Sequence, residues 1–236
     1  LYTNYLARWN LKYVLSLLEV MKKEETSSYN ELVEKTGLTE METAKWKEVQ
    51  EKIYLPRKEG TKLLEQFEGY FELDNVTIEK YDENDWPIRP EALKTKKAKE
   101  TQINKQADVV MLLHLMGNEF DDETIKENYA YYEKRTLHGS SLSPSIYSVM
   151  GLKVGDDSKA YRYLRRAAFI DLLNMQGNTR EGIHAANTGG VWQTIVFGFA
   201  GVSQREDGKL RVCPNMPEEW QNLTFRLHYK GEIGRA

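Results

Sequence analysis

The sequence predicts a mainly helical protein that turns to β structure near its end. Apolar residues recur every three or four positions over most of the chain before Gly201. Capping residues stand at the head of several of those segments. After Gly201 the apolar period drops from 3.6 to 2. The change sets a domain boundary near residue 205, with helices over 1–205 and the start of a β unit over 206–236.

Leu6, Trp9, Tyr13, Leu17 and Met21 form one apolar stripe, which predicts a helix over 3–24. Thr39 followed by Glu42 is a capping box that opens a second helix through about Gln50. Residues 51–95 break pattern, punctuated by Pro56, Gly60, Gly69, Pro87 and Pro90, and a loop of that length is usually functional. Residues 100–117 return to helix, apolar on nearly every side in the second half, as a helix buried between other elements would be. Asp121 or Asp122 caps the next, with Ile125, Tyr129 and Tyr132 on one face. A short helix follows Pro144 and ends at Gly151. Another runs from Asp156 or Asp157 to about Leu173, and a last one from Thr188 to Ala200. Leu223, Phe225, Leu227 and Tyr229 then alternate with polar residues as a half-buried strand, with Lys209–Val212 as its expected partner.

The 236 residues contain 33 basic and 36 acidic side chains, a near-balance that argues against a dedicated nucleic-acid binder. The longest mostly apolar run, Val109 to Met116, is far short of the ~20 residues that cross a bilayer, so no membrane span is expected. The single cysteine, Cys213, excludes an internal disulfide and a cysteine metal cluster and fits a cytoplasmic protein. No His/Asp/Glu group has zinc spacing, and no P-loop, dinucleotide fingerprint or nucleophile elbow is present, so no metal or cofactor is expected. A helix opens at once and the last residues remain in strand pattern, so both ends read as cut.

Three polar loops at helix ends carry the chemistry. In Arg180–Gln193, Thr188, Gly189 and Gly190 open a helix, where bare backbone N–H groups at the positive end of the dipole suit an anion, and His184 adds a donor. The same residues also read as a glycine turn with close helix packing and a core histidine. In Arg135–Pro144, the Ser140 and Ser141 hydroxyls ahead of a helix serve equally as an oxyanion cradle or as plain caps, with His138 beside them. In Gln102–Asp108, Lys105 and Gln106 enter an apolar helix, which suits donors aimed at sugar hydroxyls, or a solvated first turn with the lysine reaching outward. Glu65 to Phe71 and His114 are weaker candidates, read as a packed turn and a core histidine.

At these loops the sequence resembles the disaccharide phosphorylases of glycoside hydrolase family 65, in Thr101–Leu112, Tyr131–Ser143 and Glu181–Gln193, in order. Tyr2–Asn4, Glu65–Phe67 and Pro214–Trp220 extend the likeness over essentially the whole chain. The resemblance implies part of an (α/α)6 barrel, the glucoamylase-like toroid, of which this chain supplies the second half before a small β domain. It implies inverting phosphorolysis of an α-linked glucose disaccharide of the maltose, kojibiose or trehalose type, giving β-glucose 1-phosphate and glucose. Inorganic phosphate is the co-substrate, no cofactor is needed, and homodimers are frequent in the family. By likeness Lys105 and Gln106 hold the donor glucose, and Ser140, Ser141, His184, Gly189 and Gly190 bind phosphate, with His138 and Thr188 as further members.

The residues fit that chemistry independently. An inverting hydrolase needs a second carboxylate, ~6.5–9.5 Å from its acid, to activate water. Phosphate is already a nucleophile and calls instead for hydroxyls, amides and a histidine, with carboxylates kept away, so Glu181 is predicted to point outward. The family's general-acid glutamate falls upstream of Leu1, no residue here replaces it, and the isolated chain is expected to be inactive. Two alternatives stand beside this reading: an inverting α-glucoside hydrolase of the same fold, and a non-catalytic helical interaction module, since paired helices recur at roughly forty-residue intervals.

Overall fold

The computed structural model describes residues 1–84, 86–205 and 207–235. It divides into two compact units, Leu1–Tyr70 and a second that begins at Phe71.

The first unit holds α1 (Tyr2–Glu24), α2 (Thr26–Thr36) and α3 (Glu40–Lys52), with α1 packed on both others. The expected α1 forms, although Trp9, Tyr13 and Leu17 of its stripe stay exposed, Trp9 stacked on Tyr13 at 5.1 Å. The Thr39 hydroxyl accepts from the Glu42 N–H at 3.2 Å and so starts α3. Helix α2 is an addition to the helices expected from the sequence. It ends at Gly37, whose φ of 70° is left-handed and strain-free only without a Cβ.

The second unit holds α4 (Asp108–Leu115), α5 (Asp122–Glu133), α6 (Ser143–Val154), α7 (Asp157–Phe169) and α8 (Ala185–Gln193), which runs on as a π-helix over Thr194–Phe199. Asp121 and Asp156 cap α5 and α7 through the Thr124 and Lys159 N–H groups. Val110, Leu112 and Leu113 of α4 are fully buried, as its all-round apolar pattern required. Truncating Leu113 to alanine should cost ~2–5 kcal/mol.

Several helix boundaries differ from expectation. The helix expected over 100–117 begins at Asp108, because the preceding backbone pairs sideways instead. Gln102 N–H donates to Asp74 O at 2.9 Å, Asn104 N–H to Arg135 O at 2.7 Å and Leu137 N–H to Asn104 O at 2.8 Å. The helix after Pro144 passes Gly151 and stops at Gly155, which is left-handed. Gly151 is there for packing: a Cβ would lie 3.0 Å from the Tyr129 hydroxyl and 3.1 Å from Ala160 Cβ. The last helix starts at Ala185, ahead of Thr188, with His184 as its N-cap.

The strands also pair differently. β1 (Ser203–Gln204) joins β2 (Leu210–Arg211), and β3 (Arg226–Tyr229) joins β4 (Glu232–Arg235), both antiparallel. β3 therefore meets the strand after it, not Lys209–Val212. Lys230 and Gly231, at φ 50° and 84°, make the two-residue turn whose twist matches a tight hairpin.

Candidate functional site

The loop after α5 is locked to the loop before α4. Besides the Asn104 bonds, the Gly139 N–H donates to Lys105 O at 2.9 Å. A Cβ on Gly139 would lie 3.2 Å from Lys105 Cγ, so the lysine stem crosses the glycine that precedes Ser140. Arg135 anchors the same loop from below. It stacks on the Tyr131 ring at 3.7 Å and donates to Asn75 Oδ1 at 2.6 and 3.1 Å. Lys105 and the Ser140–Ser141 pair, 35 positions apart in sequence by their numbers, thus share one wall.

The Lys105 ammonium is exposed with no ion-pair partner among the described residues. Gln106 is also exposed, its amide donating to Asp108 Oδ1 at 3.1 Å. Ser140 and Ser141 are half-buried, and neither hydroxyl caps α6. That removes the plain-cap reading and leaves two unengaged hydroxyls at the head of a twelve-residue helix, where the dipole favours an anion.

His138 lies elsewhere. Its ring is 1% exposed, with Nδ1 2.9 Å from Ser143 Oγ and Nε2 3.2 Å from the Tyr163 hydroxyl. Tyr163 gives its proton to Glu133 at 3.0 Å, so His138 donates through Nε2 and accepts at Nδ1 as a neutral ring. Burial, then the Arg166 charge, hold its pKa well below 6.5. This corrects its expected place among the phosphate ligands: it is a core group that ties the serine loop to α5 and α7. Its φ of 52° is strained for a non-glycine residue.

The glycine loop needs a second correction. Gly189 and Gly190 sit inside α8, four and five residues past its start, so they do not form its N-terminus. Their N–H groups fall within the helical ladder, while Asn187 and Thr188 donate to His184 O at 2.9 and 3.3 Å. The glycines act by being small. Gly190 lies against Ser145 of α6, and Thr194 bridges Ser145 O and Gly190 O at 3.2 and 2.9 Å. Gly189 and Thr188 are exposed, and nothing lies within 4 Å of where a Gly189 Cβ would be, so the chain is open to a close ligand there.

His184 stands at the head of α8, its ring nitrogen Nδ1 2.5 Å from Asp171 Oδ1 and its N–H donating to Asp171 Oδ2 at 2.8 Å. Those two hydrogen bonds, the side-chain one first, hold the Asp171 carboxyl below its ordinary value of 3.8. Asp171 lies 13 positions before His184, outside the polar loop that the sequence singles out. Glu181 is exposed on the turn Thr179–Glu181. The carboxylate beside the histidine comes from the end of α7, and its oxygens face His184 donors. The only sequence signal for it was an acidic residue just past an amphipathic helix.

Among the described residues no group of His, Cys, Asp and Glu could hold a metal ion, and no helix is long and apolar enough to cross a membrane.

Residues 1–193 match the glycosyl hydrolase family 65 central catalytic domain, and 204–233 match the family's C-terminal domain. The class is thus a helical glycosyl hydrolase catalytic domain running into its C-terminal domain. The chain belongs to glycosyl hydrolase family 65. It is 50% identical over 232 residues to a kojibiose phosphorylase of Thermoanaerobacter brockii, covering 98% of this chain and 30% of that protein. It is 34% identical to an alpha,alpha-trehalose phosphorylase of the same organism, over 98% of this chain and 30% of the relative. A solved structure from the human microbiome, described as a candidate kojibiose phosphorylase, superimposes with a TM-score of 0.82 at 30% identity. It covers 99% of this chain and 32% of that one. The chain spans about 30% of the length of the curated relatives it matches.

Proposed function

We propose that this chain is the part of a disaccharide phosphorylase that binds phosphate and one side of the donor glucose. The reaction is inverting phosphorolysis of an α-linked glucose disaccharide. A phosphate oxygen forms a bond to the anomeric carbon as the glycosidic C–O bond breaks, and the leaving oxygen takes a proton. The products are β-glucose 1-phosphate and the second sugar. The observation that carries this reading is the shared wall of Lys105 and the unengaged Ser140–Ser141 hydroxyls at the head of α6, with Gly190 packed on that helix's first turn.

Within it, Lys105 and Gln106 donate to glucose hydroxyls, Ser140 and Ser141 donate to phosphate oxygens, and His184 holds the anion through its imidazole ring. Gly189 lets the anion approach the backbone. No residue of this chain is assigned as the proton donor, so these 236 residues alone bind phosphate without turning over disaccharide. Inorganic phosphate is the co-substrate, and no cofactor takes part. A cytoplasmic location, homodimerisation and no nucleic-acid or membrane partner go with this reading. The higher identity to a kojibiose phosphorylase favours an α-1,2-linked glucobiose as substrate.

The test is a panel of α-glucobioses incubated with the full gene product, with and without phosphate. Glucose 1-phosphate formed only with phosphate supports the reading. Glucose released equally without phosphate would establish the hydrolase alternative and overturn it.

A further inference from the structure

We propose that Asp171 is a positioning residue for His184, fixing which ring nitrogen the phosphate meets. This rests on the phosphate-binding reading of His184 given above. Asp171 follows α7 and His184 heads α8, so the two come from the opposite sides of one connection. That connection is held shape by its own bonds. Asn174, at φ 48°, accepts the Thr179 N–H at 3.1 Å and its hydroxyl at 2.8 Å, and the Met175 N–H donates to Ile170 O at 2.9 Å.

The Asp171 carboxylate takes two donors from the same residue, one from the ring and one from the backbone of His184. An ionised carboxylate can only accept, so the proton between them belongs to Nδ1. Nε2 then has no partner among the described residues, and the side chain is 20% exposed, enough for a ligand to reach it. Without the clamp the ring is free to rotate about χ1 and χ2 and to exchange tautomers. With it, Nε2 alone faces outward, ready to accept a phosphate O–H, or to donate to a phosphate oxygen when the ring is protonated. Because both carboxylate oxygens are turned to His184, Asp171 sits near the anion without confronting it. It touches no reacting atom and acts only through the histidine.

The experiment pairs kinetics with ring 15N chemical shifts on the full gene product, comparing wild type, Asp171→Ala, Asp171→Asn and His184→Ala. The wild type is expected to show a protonated Nδ1 and a bare Nε2. In Asp171→Ala the ring proton shifts toward Nε2, and the KM for phosphate rises about tenfold, with the disaccharide KM within about twofold of wild type. Asp171→Asn keeps the side-chain volume and should show the same tautomer change and the same direction in KM, so it stands in if the alanine variant does not fold. Where turnover is too slow to time, phosphate affinity by calorimetry gives the same comparison. A wild-type phosphate KM in both Asp171 variants, beside a raised one in His184→Ala, overturns the positioning role and leaves the phosphate assignment standing. So does an unchanged tautomer with both KM values raised together, the mark of a merely structural residue. An unchanged phosphate KM in His184→Ala overturns the assignment and the proposal with it.

Discussion

A Cβ placed on Gly190 would stand 2.7 Å from Ser145 Oγ and 3.1 Å from Ser145 Cβ. Helices α6 and α8 therefore meet at a separation where any larger residue at position 190 must push Ser145 aside. The glycine that looked like an opening for an anion also sets the distance between the helix carrying the serine loop and the helix headed by His184.

Gly190→Ala should push α8 off α6 and destabilise the fold by ~1–3 kcal/mol, the usual cost of overpacking. Ser145 Oγ is buried and has no hydrogen-bond partner among the described residues, so removing it costs little. The double variant with Ser145→Gly should recover part of the loss. Urea midpoints of the two single variants and the pair test this. Strict additivity would show that the contact does not limit the packing.

Tyr163→Phe removes the hydroxyl that joins Glu133 to His138. It leaves one buried donor on the histidine and one carboxylate oxygen short of a partner, though Lys159 still pairs Glu133 at 2.9 Å. The expected loss is ~1–3 kcal/mol, read as a lower urea midpoint. Since His138 holds the serine loop, the phosphate KM should rise as well.

Acid should weaken the fold through His138. Burial depresses its folded pKa well below 6.5, so between those two values the unfolded chain binds a proton that the folded one refuses. Its stabilising contribution is complete above pH 6.5 and fades as pH falls toward the depressed value. Midpoints recorded from neutral to acidic pH should decline through that window in wild type and decline less in His138→Gln. Parallel slopes would show that the proton goes elsewhere.

Lys105→Met keeps the stem that packs on Gly139 and removes an exposed charge. Stability should stay within about 0.5 kcal/mol, the usual range for a surface change, while the disaccharide KM rises and the phosphate KM moves less. A change in melting with no change in KM would place the lysine in the fold and not in the sugar site.

The helices were largely legible because their signals are local. Thr39, Asp121 and Asp156 each cap a helix through a backbone N–H three positions on, a contact that spacing alone reveals. The apolar run of α4 announced a buried helix, and the alternation ending at Tyr229 announced a strand. The polar groups of the candidate loops were visible as types too, as hydroxyls, a lysine, an amide and an imidazole beside helix ends.

The failures are equally physical. Residues 100–107 have helical composition, but the backbone of Gln102 and Asn104 is taken by Asp74 and Arg135, and no periodicity encodes such partners. Gly151 looked like a stop and is a contact surface, because only the arrival of Ala160 and Tyr129 makes smallness necessary there.

The sequence alone determined the helical class, the turn to β structure after Gly201, and the kinds of polar group that stand at the helix ends. Tertiary structure alone decided which of them stay exposed. It withdrew His138 into a buried relay, moved Gly189 and Gly190 inside a helix, and brought Asp171 from the end of α7 to the ring of His184. Composition and spacing specify a side chain's chemistry and its near neighbours along the chain. Its exposure, tautomer and orientation depend on groups that only packing brings within hydrogen-bond distance.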